Sequence, residues 1–128
     1  MNRVIFKNII TRKMLRQHPN WIFLFGDNLE KRGYGGQAKV MRGEPNAIGI
    51  PTKKRPSMKR DSFFTDDEFE ENKKAIDKAI AEIPKDKIIV MPIRGLGTGR
   101  AMLRVKAPKT WQYVCDKIKE LQKEMVKE

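Results

Sequence analysis

The sequence predicts one α/β domain whose central sheet is mostly parallel and lies between helical layers. Short, continuously apolar segments alternate along the chain with segments of helical period. Strands that are apolar on both faces are typical of parallel sheets covered by helices on both sides. With 128 residues and 39% apolar content, the chain can form one core, whereas two domains would each be marginal. We therefore expect a single domain over residues 1–128.

Four segments have the β-branched and aromatic residues that favour strands. We predict strands over residues 3–10, 21–25, 47–50 and 87–93. The second stops at Gly26-Asp27-Asn28, which is typical of a turn, and the fourth runs into a glycine-rich segment. Loops that leave the carboxyl ends of parallel strands form the ligand-binding edge of such a sheet. These two segments therefore mark a candidate site.

Helices are predicted between the strands and at the end of the chain, over residues 11–17, 38–42, 65–83 and 108–128. The third should begin with a capping box, in which Thr65 is the N-cap and Glu68 reaches back to it. The fourth has apolar residues at helical spacing, with Cys115 and Met125 on the apolar side. Residues 51–64 show no clear period and are predicted to form a loop.

The charge balance is strongly basic, with 28 Lys and Arg against 16 Asp and Glu, a formal net charge of +12. Such a surface attracts polyanions, and nucleic acid is the usual candidate partner. Lysines spread over helices also serve simply as solvated charge. Basic residues cluster, however, at 53–55 and 59–60, directly after the third predicted strand. This placement favours an anionic ligand.

The composition also argues against several classes of site. Cys115 is the only cysteine, which excludes an internal disulfide and a cysteine-built metal centre, and neither a metal nor a cofactor is predicted. No apolar run has the length of a membrane span or the pattern of a signal peptide. We therefore expect a soluble, cytoplasmic protein without a membrane partner.

Two glycine-rich loops are candidates for binding phosphate. We call residues 33–37 the first glycine loop and residues 95–100 the second glycine loop. Glycines allow backbone angles that direct several N–H groups at one anion, so the two loops together could clamp a diphosphate, one of them at the start of a helix. The second loop lacks the trailing Gly-Lys-Ser/Thr of a nucleotide-hydrolysing phosphate loop and the Gly-x-Gly-x-x-Gly dinucleotide spacing. Glycine-rich turns without any ligand remain the alternative.

The order of these motifs resembles the macrodomain family, which binds ADP-ribose. Asn28 follows a strand, the first glycine loop enters a helix, and Pro92-Ile93-Arg94-Gly95-Leu96-Gly97 follows a later strand. The segment Ile50-Pro51-Thr52-Lys53 is similar to the Thr-Lys strand of one branch. That branch includes ADP-ribosyl-glutamate glycohydrolases and antitoxins that strip ADP-ribose from DNA. The resemblance covers about residues 21–110.

The resemblance implies a three-layer α/β/α macrodomain-like fold and assigns residues to a site. Lys53 would be the catalytic residue, acting on the anomeric carbon of the distal ribose, with its pKa lowered by burial or by neighbouring cations, which Lys54 and Arg55 beside it would supply. The implied ligand-binding residues are Asn28, Gly33, Tyr34, Gly35, Gly36, Gln37, Thr52, Gly95, Leu96, Gly97, Thr98, Gly99 and Arg100. Asn28 would bind the distal ribose, although it is also typical of a turn or helix cap. Tyr34 is placed to stack on a ligand.

One position departs from the branch, because Gly99 stands where the branch has an Asp that resolves the intermediate. Asp27 or Glu44 could supply that carboxylate from another loop. The expected function is binding of ADP-ribose and its removal from modified protein or nucleic acid. Two alternatives stay open. One is a non-catalytic module that binds ADP-ribose or a related nucleotide, and the other is a basic nucleic-acid-binding protein.

Overall fold

The computed structural model of the chain describes residues 3–126, with side chains described through Gln122. The predicted helix end at Glu128 and the side chain of Met125 therefore lie outside the described residues. Four strands are present: β1 (Arg3–Lys7), β2 (Ile22–Asn28), β3 (Ala47–Lys53) and β4 (Ile88–Pro92). All pairs in the sheet are parallel, and the strand order is β1-β4-β2-β3. The predicted parallel sheet within an α/β fold is confirmed.

Five α-helices are described: α1 (Arg12–Gln17), α2 (Ala38–Met41), α3 (Phe69–Ala81), α4 (Leu103–Lys106) and α5 (Pro108–Val126). Short 3-10 helices precede α3 at Arg60–Ser62 and Asp66–Glu68. Helix α4 was not predicted, since its four residues are too few for a helical period to show. None of the described helices combines the length and the apolar character that crossing a bilayer requires.

Apolar side chains of β2 alternate between two clusters on opposite faces of the sheet. Ile22 and Leu24 belong to the larger cluster, which α3 and α5 cover with residues such as Ile76. Phe23 and Phe25 belong to the smaller cluster, to which α1 and α2 contribute. Because helices cover both faces, the polar ends of the strands are left as the open edge of the sheet.

The two strands that meet at the candidate site are longer than predicted. Strand β2 continues through Gly26 and Asp27, which pair with Ile50 and Pro51 of β3, so the predicted turn at this point is wrong. Pro51 is tolerated in β3 because this strand lies at the edge of the sheet. Strand β3 therefore carries its pairing to Lys53, inside the segment that was predicted as a loop.

Two smaller predictions also need correction. Thr65 makes no side-chain capping bond, so the predicted capping box is absent, and the Glu68 carboxylate instead lies 2.6 Å from Lys54 Nζ. The same Glu68 Oε1 lies 3.5 Å from Thr65 Oγ1, so the two side chains meet each other rather than the backbone N–H groups of a capping box. Strand β1 ends at Lys7 rather than at Ile10, and Ile10 packs into the smaller cluster from the following loop.

Candidate functional site

A cleft of about 560 Å³ lies at the carboxyl ends of β2, β3 and β4. Its walls are the first glycine loop, the second glycine loop and the segment 56–58 that follows β3. Both glycine loops were predicted from the sequence to border one site, and they do line the same cleft. The volume lies within the range of about 300–1,000 Å³ that is typical of small-molecule sites.

The second glycine loop packs closely on β2 and β3. A Cβ placed at Gly26 would lie 3.2 Å from the backbone N of Gly97 and 3.3 Å from Thr52 Oγ1. A Cβ placed at Gly97, where φ is +76°, would lie 3.0 Å from side-chain carbons of Thr52 and Leu103. Glycine is thus required at Gly97 both for its backbone angle and for the close approach.

The two glycine loops also approach each other across the cleft. A Cβ placed at Gly35 would lie 3.3 Å from a guanidinium nitrogen of Arg100. None of the backbone N–H groups of residues 33–37 and 96–100 donates to a backbone acceptor in the described part of the chain. Two runs of unpaired donors therefore border one space, which suits an anion with several oxygens.

Lys53 is the most unusual side chain of the cleft, because it is only 7% exposed and has no carboxylate within ion-pairing distance among the described residues. Its Nζ lies 3.5 Å from Met58 Sδ and 4.9 Å from the centroid of the Phe63 ring. A thioether is a weak acceptor, and a ring face replaces only part of a hydration shell. A buried ammonium with these partners is costly to the folded protein.

Burial lowers the pKa of Lys53 below its usual range, and the charge of Arg100 lowers it further. The sequence-based explanation named burial or neighbouring cations. Burial is the largest cause, but the cation is Arg100 rather than Lys54 or Arg55. Lys54 pairs with Glu68, and Arg55 lies 3.1 Å from an oxygen of Asp61. The effective cation comes from the second glycine loop rather than from the residues next to Lys53 in the chain.

Asp27, a predicted catalytic residue, lies in the cleft but is held in an ion pair. Its two carboxylate oxygens lie 2.5 and 3.3 Å from guanidinium nitrogens of Arg42, and both side chains are largely buried. Arg42 also donates to the backbone oxygens of Arg32 and Gly33, so it ties the first glycine loop to β2. Glu44 does not line the cleft and instead pairs with arginines of α1.

Asn28 lies at the end of β2 and is 7% exposed. Its Nδ2 donates to the backbone oxygen of Arg32 at 2.7 Å, and its Oδ1 lies 3.5 Å from the Arg32 backbone nitrogen. The amide thus closes the turn that leads to the first glycine loop. This geometry supports the turn interpretation of Asn28, while the residue still borders the cleft.

The remaining predicted site residues are distributed around the same cleft, with one exception. Leu96 is 3% exposed, packs into the larger apolar cluster and does not line the cleft. Tyr34 is 67% exposed at the rim. Gln37 Oε1 is a buried acceptor without a protein partner among the described residues. Within the described residues, no group of three or more His, Cys, Asp or Glu side chains is placed to hold a metal ion.

Comparison with known protein families gives one match. A model described as a family of unknown function, DUF7831, matches residues 5–117. The chain belongs to the DUF7831 family. No curated protein and no solved structure matches the chain. The matched region includes β2, β3, β4 and both glycine loops, so the whole cleft lies within the family region.

Several cleft residues of this DUF7831 chain were not found from the sequence: Arg32, Arg42, Arg94, Pro56, Ser57 and Met58. The three arginines add to Lys53 and Arg100, and Asp27 is the one carboxylate among the described residues that line the cleft. In a chain with 28 basic residues, a single arginine carries no signal of its own. The spacing of prolines and glycines in the neighbouring loops was the only sequence pattern that indicated a binding site here.

Proposed function

We propose that the chain binds ADP-ribose in the cleft and removes ADP-ribose from modified protein or nucleic acid. The observation that carries this proposal is Lys53, a buried amine that has no carboxylate partner among the described residues and lines a basic, glycine-lined cleft. A lysine whose pKa is lowered by burial has more of the neutral, nucleophilic form near neutral pH. The motif resemblance to macrodomains supplies the identity of the ligand.

The cleft suits the charge of ADP-ribose. The diphosphate would lie between the unpaired N–H groups of the two glycine loops, near Arg100. Helix α2, which follows the first loop, has only four residues, so its dipole contributes little to this binding. Backbone donors and arginine side chains are thus the main attractive groups. The exposed ring of Tyr34 at the rim is available for stacking.

The reaction would proceed in two balanced steps. Neutral Lys53 Nζ attacks the anomeric carbon of the distal ribose, and the bond from that carbon to the linking atom of the macromolecule breaks. The leaving atom keeps the electron pair and takes the proton that Nζ loses. Water then adds to the anomeric carbon and displaces Nζ, which regains its proton, so one water is consumed and free ADP-ribose is released.

A second candidate function is binding without hydrolysis. Gly99 stands where the resembling branch has its Asp, and Asp27 is paired with Arg42. The described residues of the cleft therefore offer no unpaired carboxylate to activate water in the second step. A protein that binds the ligand but releases none from a macromolecule would fit this observation.

Calorimetric titration with ADP-ribose, followed by incubation with ADP-ribosylated DNA and protein, tests the proposal. The variants are Lys53→Ala and the matched control Lys78→Ala, which removes an exposed lysine of α3. We expect all three proteins to bind and only wild type and Lys78→Ala to release ADP-ribose. Binding by all three proteins with release by none of them would favour the non-catalytic module. Absence of binding would refute the proposal.

A basic nucleic-acid-binding protein is the remaining alternative, supported by the net charge of +12. Salt dependence separates it from a nucleotide cleft, because each phosphate contact of a nucleic acid adds to the salt slope. We expect ADP-ribose binding to weaken only gently with salt. Tight binding of unmodified nucleic acid with a steep salt slope, together with no affinity for ADP-ribose, would favour the alternative.

A further inference from the structure

The side chain of Met58 covers the amine of Lys53 from the solvent side. Its Sδ lies 3.5 Å from Lys53 Nζ, while Met58 itself is 57% exposed in the loop after β3. Phe63, which is 4% exposed, lies against the same amine from the protein interior. Lys53 Nζ is therefore in contact with two apolar groups, of which only Met58 is on the surface.

Contacts of the surrounding loop hold Met58 in this place. A Cβ placed at Gly33 would lie 2.9 Å from Pro56 Cβ, so the first glycine loop packs directly against the segment 56–58. The Lys59 backbone N donates to Ser57 Oγ at 3.0 Å, which closes a tight turn around Met58. The position of the thioether thus depends on several contacts of its loop.

The charged groups around Lys53 do not by themselves explain an amine kept from water. Arg100 faces it from the second glycine loop. Lys106 of α4 lies 5.0 Å from the same Phe63 ring. Asp27 of β2 forms an ion pair with Arg42. What remains is the burial of the amine, which is also the largest cause of the lowered pKa of Lys53. Of the two side chains that bury it, only Met58 is exposed at the surface.

We propose that Met58 is a positioning residue that covers the Lys53 amine and keeps water from it. The segment 56–58 then controls the reactivity of Lys53 through the contact of Met58 Sδ with Nζ. The inference rests on the proposed function only in taking Lys53 as the reacting group. The contact of Met58 with the Lys53 amine is present in the ligand-free protein, so its effect can be measured without any substrate.

The test is the pH dependence of Lys53 acylation by an amine-reactive reagent, followed by peptide mapping with mass spectrometry. The variants are Met58→Ala, Met58→Leu and the control Val105→Ala, which shortens a 73% exposed apolar side chain of α4 away from the cleft. In Met58→Ala, the midpoint pH of Lys53 acylation should rise by about one unit, because water would then reach the amine and stabilise its charged form. One unit is an ordinary size for an environmental pKa shift. Met58→Leu should stay near wild type, because leucine restores the apolar bulk.

An unchanged midpoint in Met58→Ala would overturn the inference, and so would a leucine variant that shifts as far as the alanine variant. Each variant is first compared with wild type by urea denaturation, and loss of the exposed Met58 side chain should leave folding intact. Titration with ADP-ribose is run in parallel. A protein that shows the midpoint shift but binds no ADP-ribose would refute the proposed function and retain the role of Met58.

Discussion

Replacement of Gly97 by alanine should strongly destabilise the protein, and two other glycines of the same loop serve as controls. Gly97 combines a φ of +76° with close contacts to Thr52 and Leu103. Gly95 has a φ of +87°, but its Cβ would meet only Thr98 Cγ2 at 3.8 Å, an ordinary contact. Gly99 has neither a positive φ nor a neighbour within 4 Å. The series therefore separates backbone strain from crowding.

The magnitudes follow from these three environments. A left-handed backbone costs an alanine about 1–2 kcal/mol, which applies to Gly95 and Gly97. Crowding costs a further 1–3 kcal/mol or so at Gly97, since Thr52 and Leu103 are fully buried and cannot move aside. The loss of freedom in the unfolded chain is similar for all three substitutions and cancels in their differences. We expect Gly97→Ala to be the least stable and Gly99→Ala the most stable.

Urea denaturation of wild type and the three variants measures these differences, because the free energy of unfolding extrapolates linearly with urea concentration. The difference between Gly97→Ala and Gly95→Ala should be about 1–3 kcal/mol, and that between Gly95→Ala and Gly99→Ala about 1–2 kcal/mol. A Gly97→Ala protein as stable as Gly95→Ala would refute the claim that this loop packs on β3.

Three further predictions concern Lys53, the Asp27–Arg42 ion pair and the packing against Asp27. Because the pKa of Lys53 is lowered on folding, the unfolded chain binds more protons between the folded pKa and the ordinary value of 10.5. Tyr113, Cys115 and Lys117 have raised pKa values, which make stability fall as the pH rises in the alkaline range. The effect of Lys53 is therefore a difference: the urea midpoint of wild type relative to that of Lys53→Met should rise with pH across the window. Arg42→Met should cost about 3–5 kcal/mol by leaving buried Asp27 unpaired, and adding Asp27→Asn should recover part of the loss; equal stability of the single and double variants would contradict this. Gly49→Ala places a Cβ 2.5 Å from Asp27 Oδ2, so its urea midpoint should fall measurably.

The sequence predicted the type of most elements but not where β2 and β3 end. Apolar segments such as residues 21–25 form strands because both faces of the sheet are covered, and this pattern is local. Gly26 and Pro51 are turn formers by local preference, yet they lie in paired strands. Their pairing depends on contacts between distant parts of the chain, which local preference does not report. Only the edge position of β3 makes Pro51 acceptable there.

The sequence predicted only part of the candidate site, because the rest also depends on contacts between distant parts of the chain. The glycine loops follow neighbouring parallel strands, so their shared cleft follows from the topology. Burial, the largest cause of the lowered pKa of Lys53, was one of the two causes considered from the sequence, but the acting cation was not predicted. Lys54, the first residue after β3, pairs with Glu68. The nearby cation is Arg100, which is far away in sequence.

The packing of the second glycine loop links the stability of the protein to the reactivity of Lys53. Thr52, directly before Lys53, lies under Gly97, and Arg100 of the same loop acts on the Lys53 amine. An alanine that pushes this loop away from β3 should therefore move Arg100 and admit water near Lys53. In folded Gly97→Ala, the acylation midpoint of Lys53 should rise, whereas Gly99→Ala should keep the wild-type value. If Gly97→Ala lowered stability without moving that midpoint, Arg100 would not depend on the loop packing, and the burial of Lys53 would be due to β3 and the segment 56–58 alone.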